Sequence, residues 1–222
     1  SPKLATRDRS LDTVGLRVIR DPAAGRADFE SEIFYQFGTV RASLAPTAIR
    51  LDVSAWFTHA EVGYTFRHPW LPRIALEFDY ASGDGRGGKF TRFDTLFGMR
   101  RADLAPAGLY NAVGRTNIVA TGLRVEATPS KRIDAFAAYR PLWLASRYDS
   151  FSTTGARDAS GRSGRFAGHQ IEARVRYWLI PKRLRLEWNG LFLAKGHFLR
   201  DAPNVTARGN TLYNSLNATI SF

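Results

Sequence analysis

Arg174 and Arg176 stand two residues apart with Glu172 just before them, and the same spacing joins Arg124 to Glu126 and Arg185 to Glu187. In an extended chain, a spacing of two returns side chains to one face. Arg17, Arg140, Glu61, Glu77 and Asp79 hold the equivalent parity in their own segments. The chemistry such a set offers is recognition. A guanidinium grips a carboxylate with two parallel hydrogen bonds, which an ammonium group cannot do. Side chains of one sign along a path also select ions of the opposite sign. A plainer account pairs the arginines with the carboxylates merely to satisfy a wetted surface, and mixed signs suit both accounts.

Bond-making chemistry finds little support. The chain has no cysteine, which removes disulfides, zinc ribbons and thiol catalysis together. His59, His68, His169 and His197 share no metal-ligand spacing, and no nucleophile can be placed beside a base. The glycine-rich run from Gly83 to Gly88 precedes neither a helix nor a Gly-Lys-Ser/Thr sequence, so it is not a phosphate cradle. Asp79, Asp84 and Asp94 offer hard oxygen ligands for calcium in an outer loop, but a solvated loop explains them more simply. No catalytic residue, metal or cofactor is therefore expected. Net charge is +12, carried by 27 arginines and only five lysines. These charges alternate with apolar residues in segment after segment instead of clustering, which argues against a nucleic-acid partner.

The elements that position these residues have a period of two. Nine strands are expected, at 11–20, 28–39, 50–66, 73–82, 116–127, 132–145, 168–180, 183–198 and 211–222. In 183–198, Leu184, Leu186, Trp188, Gly190 and Phe192 oppose Arg183, Arg185, Glu187 and Asn189. In 73–82, Ile74, Leu76, Phe78 and Tyr80 oppose Arg73, Ala75, Glu77 and Asp79. Connections alternate between short turns, after the first, third, fifth and seventh strands, and longer polar loops. This alternation, with lipid outside and water inside, is the pattern of an outer-membrane barrel. No stretch approaches the roughly 20 apolar residues of a membrane helix, and a mean hydropathy of −0.26 says nothing either way about strands. The final strand alternates to an aromatic end, Phe222, as the closing strand of such a barrel does. The five tryptophans suit an interfacial girdle or packing more than a sugar platform, although Trp178 shares the polar parity.

Two groups of motifs add a resemblance. The run Glu77-Phe78-Asp79-Tyr80-Ala81-Ser82-Gly83-Asp84, then Phe93-Asp94-Thr95-Leu96-Phe97, then Gly114-Arg115-Thr116-Asn117-Ile118, resembles the alginate export family of outer-membrane proteins. Tyr139-Arg140-Pro141-Leu142-Trp143-Leu144-Ala145 and Gly168-His169-Gln170-Ile171-Glu172 are similar to two further strands of that family. The resemblance covers roughly residues 50–222. It implies an all-β fold, an antiparallel transmembrane β-barrel of roughly 18 strands, of which this chain would be the C-terminal half. Residues 1–222 would then form one barrel segment, with 1–10 the remnant of an extracellular loop.

The function so implied is a porin-like, anion-selective channel in the bacterial outer membrane. It would pass an alginate-like acidic polysaccharide along a lumen lined by the arginines and carboxylates above, with Asp84, Phe93, Asp94 and Phe97 on a loop that folds onto something. Its partners would be outer-membrane lipid and lipopolysaccharide, the acidic polymer, and an N-terminal barrel half or second chain completing the sheet. The alternative is a structural, plugged barrel that anchors an envelope assembly through its loops.

Overall fold

A computed structural model describes residues 7–95, 104 and 113–222. All nine expected strands form: β1 (Arg9–Arg20), β2 (Arg26–Arg41), β3 (Arg50–Thr65), β4 (Arg73–Ala81), β5 (Ile118–Ser130), β6 (Ile133–Trp143), β7 (Phe166–Ile180), β8 (Leu184–Lys195) and β9 (Thr211–Ile220). Most strand ends shift by up to three residues, and two of the shifts are informative. Arg9 and Ser10 already belong to β1, and β8 stops at Lys195, where a short helix α1 (His197–Asp201) takes over. That helix buries Phe198 and Leu199, a pair that strand alternation would have split between two faces.

The strands make one antiparallel sheet in which each pairs with its neighbours in sequence, β1 through β9. The expectation of a closed transmembrane β-barrel, and with it the description as a porin, is corrected here. Among the described residues no ladder joins β9 to β1, so the sheet is open and those two strands are its edges. Alternation and turn lengths decide which consecutive strands pair. Closure requires one further ladder between the first strand and the last, and that ladder is absent.

Register carries the two-faced pattern across the sheet. Phe29, Val62, Leu76, Leu123, Tyr139, Ile171, Phe192 and Leu212 lie in one row from β2 to β9. Every one of them is exposed. A continuous exposed apolar surface of this extent is unusual for a soluble monomer. The short turns fix that register. Between β1 and β2, Gly25 takes φ 73°, and its N–H donates to the Thr65 carbonyl at 2.7 Å.

The opposite face is polar near the short turns and apolar near the long loops. There Val53, Phe57, Ile118, Leu142 and Leu193 from the strands are covered by Phe93, Leu104, Val113, Leu144, Phe151 and Phe198 from the connections and α1. Gln170 on β7 donates from Nε2 to the Leu104 carbonyl at 2.8 Å, which places Leu104 over β7. The molecule thus has a hydrophobic core on the same face as its charges.

Candidate functional site

Strand parity places every arginine and carboxylate singled out on the strands on the polar face, where they form linked clusters. At the centre is Arg140 on β6, only 1% exposed. Its Nε and Nη2 donate to Glu77 Oε2 at 2.9 and 2.6 Å, and its Nη1 donates to Glu172. Gln170 Nε2 donates to the other Glu172 oxygen at 3.1 Å. Arg124 approaches Glu77 at 3.8 Å and donates to Glu126. The Arg124 and Arg174 guanidinium carbons lie 3.9 and 4.7 Å from the Phe136 ring centroid, which offers a cation–π surface to both.

A second hub centres on Arg73 of β4. Its Nε donates to both Asp28 oxygens at 3.1 Å, its Nη2 donates to Asp28 and Glu61, and Glu126 lies 3.6 Å from Nη1. The two hubs share a construction. An alanine Cβ at Gly63 on β3 would stand 2.5 Å from the Arg73 guanidinium, and one at Gly122 on β5 would stand 2.7 Å from Glu77 Oε2. Glycine in the intervening strand leaves the space through which the ion pair reaches.

Toward the β1 edge, Arg17 reaches Glu30 at 2.6 Å and Glu32 at 3.0 Å, while Arg115 from the long connection meets Glu32 at 3.2 Å and covers the Phe57 ring. Asp79 Oδ1 accepts a hydrogen bond from His59 Nδ1 at 2.8 Å. Toward β9 the balance changes. Arg176 donates to Glu187 at 2.6 Å, Arg185 stands 3.8 Å from the same carboxylate, and Arg174 stands 3.4 Å from Asp134. Among the described residues three guanidinium groups share two carboxylates here, and the Nε atoms of Arg174 and Arg185 have no hydrogen-bond acceptor. The side chains of Arg176 and Arg185 are 29% and 27% exposed.

The loop residues separate. Phe93 is buried 5.6 Å from the Phe57 ring, and Asp94 pairs with Arg9 while its backbone bonds to Gln36. Asp84 accepts from the Gly85 and Thr91 N–H groups at 3.1 Å and donates its own N–H to Asp149. Phe97 lies outside the described residues. Asp79, Asp84 and Asp94 have separate partners, and among the described residues no group of three or more acidic or histidine side chains could hold a metal ion. In the loop after β6, Asp158 accepts from the hydroxyls and N–H groups of Ser160 and Ser163 at 2.6–2.8 Å. These bonds, led by the Ser160 hydroxyl, hold its carboxyl well below the usual carboxylate range.

Sequence reasoning passed over Arg73, Asp28 and Glu32 as site residues, although parity had put Arg73 on the polar side. It also missed Asn117, which takes φ 42° and ties two loops together. Its Nδ2 donates to the Ser146 and Ser150 carbonyls at 3.1 and 2.9 Å, and its Oδ1 accepts from Ser146 N–H at 2.7 Å. Its place in the Gly114-Arg115-Thr116-Asn117-Ile118 motif was the one available signal.

Comparison with curated proteins gives no match. The family model described as alginate export matches residues 3–211, nearly the whole length, including every polar-face residue named above. The chain belongs to the alginate export family.

Proposed function

We propose that this chain forms one wall of a passage for an acidic polysaccharide across the bacterial outer membrane. The apolar face meets lipid and the polar face meets the polymer. Further strands, from the same protein or another chain, pair with the β1 and β9 edges, whose free backbone groups have no place in hydrocarbon. No bond is made or broken. Arg174, Arg176 and Arg185 are the groups that touch the polymer, because they outnumber their carboxylates and stay partly exposed. Arg140 and Arg73 hold the wall together and are too buried to touch anything that passes. Guanidinium groups replace part of the water around sugar carboxylates, while neighbouring Glu187 and Asp134 keep each contact brief. The single observation carrying this reading is the arginine surplus at β7–β8 in a chain of the alginate export family.

Planar-bilayer recordings on the purified full-length protein test it. Anion-selective current, blocked by a polyuronate and not by neutral dextran, is expected. Insertion without current would favour a second reading, a structural anchor with a covered polar face. One observation favours that alternative: Phe93, Leu104 and Phe151 seal the long-loop end of the polar face.

A further inference from the structure

The polar face holds only a small share of the chain's surplus positive charge, since carboxylates accompany the arginines in each of its clusters and fall short by one only at β7–β8. Much of the surplus lies at the short-turn end. Arg26 in the first turn region, Arg67 in the second, Lys131 and Arg132 in the third, and Lys182 and Arg183 in the fourth are all exposed. None of the six has an ion-pair partner among the described residues. Asp21, next to Arg20, is the one carboxylate lying within these turns. Unpaired like charges along one edge repel one another, and the cost falls only when an outside anion sits among them. The same end bears exposed apolar residues: Phe66, Trp70 and Leu71 around the second turn, and Leu179 and Ile180 before the fourth. They continue the apolar sheet face to the level of the cations.

We infer that the four short turns form a binding rim for anionic glycerophospholipid, with Arg67, Lys131, Arg132, Lys182 and Arg183 on the headgroup phosphates and Trp70 and Ile180 at the start of the acyl chains. This rests on the membrane reading above. A free phosphate would use only the cations and leave the adjoining apolar residues in water. A soluble acidic polymer has the same defect. A lipid satisfies both parts at once, since basic side chains reach headgroups while aromatic rings sit at the interface.

The test inserts the full-length protein into phosphatidylcholine vesicles, with and without about 30% phosphatidylglycerol to supply the anionic headgroup. After gentle detergent extraction, native mass spectrometry counts the lipids retained. The wild type is expected to retain phosphatidylglycerol well above its share of the bilayer. K131Q/R132Q/K182Q/R183Q is expected to lose about tenfold or more of that preference, since each basic group beside an anionic surface contributes roughly fivefold before salt screening. Polyuronate block should be unchanged in the variant. Insertion with retained lipid matching the bilayer composition overturns this inference and leaves the membrane reading standing. A variant that keeps its phosphatidylglycerol but loses polyuronate block also overturns it, and transfers these cations to the polymer. Failure to insert into either bilayer overturns both.

Discussion

Removing the Arg140 guanidinium separates support of the sheet from the polymer contact proposed above. Arg140→Met keeps most of the side-chain length and deletes the charge between Glu77 and Glu172. Both carboxylates are nearly buried, with side chains 5% and 1% exposed. What remains to them is Arg124, 3.8 Å from Glu77, and Gln170 Nε2, 3.1 Å from Glu172. Deleting one partner of a buried ion pair typically costs about 3–5 kcal/mol, because the other charge is left uncompensated. Two carboxylates are stranded here, but Arg124 can swing toward one, so about 3–4 kcal/mol is expected. Replacing all three groups, in R140M/E77Q/E172Q, removes the stranded charges and should recover most of the loss. Equilibrium urea unfolding in lipid vesicles, followed by tryptophan fluorescence, measures both. A loss below about 1 kcal/mol for the single variant, or a triple variant less stable than the single one, would refute the assignment of Arg140 as a buried support.

Arg174→Gln with Arg176→Gln should weaken polyuronate binding about tenfold, with most of that loss disappearing in high salt, and leave the unfolding midpoint within the ordinary range for partly exposed groups; titration calorimetry at two ionic strengths reads it. Gly122→Ala inserts a methyl group 2.7 Å from Glu77 Oε2 and should cost about 1–3 kcal/mol by overpacking, measured in the same unfolding assay. The depressed Asp158 carboxyl makes the loop after β6 acid-sensitive. Its contribution is fully present above the ordinary aspartate value of about 3.9 and is lost as pH falls toward the lower folded value, so protease cleavage between Ser146 and Arg165 should rise below that pH and be higher throughout in Asp158→Asn.

Much of the sheet was legible because its signals are local. Alternation in Arg73–Ala81 gives both the strand and the side on which Glu77 lies, and Pro181-Lys182 gives the turn that follows β7. Closure was not legible, since it depends on a contact between β1 and β9 that no window of sequence contains. The Arg73 hub was missed for a related reason. Its main partner, Asp28, sits on β2, two strands away, and pairing rules describe only adjacent strands. The covered end of the polar face was legible only in part. The Phe93 motif signalled a loop that packs, but nothing periodic in 82–117 or 144–165 says which residues will cover Phe57. The partly exposed arginines at β7–β8 could be placed from sequence, whereas their surplus over carboxylates required the register that sets Arg176 opposite Glu187.

The two glycine-bridged ion pairs also have a mechanical consequence. Neighbouring strands lie about 4.8 Å apart, so second neighbours in a flat sheet are separated by about 10 Å. Arg73 on β4 holds Asp28 on β2 across Gly63, and Arg140 on β6 holds Glu77 on β4 across Gly122. Each pair acts as a tie between alternate strands on one side only, and the two ties meet at β4. Tension on that side with slack on the other bends the sheet toward its charged surface. The buried ion pairs therefore work as the tendons of an arch, and under the proposed function they set how wide a polymer the wall curves around.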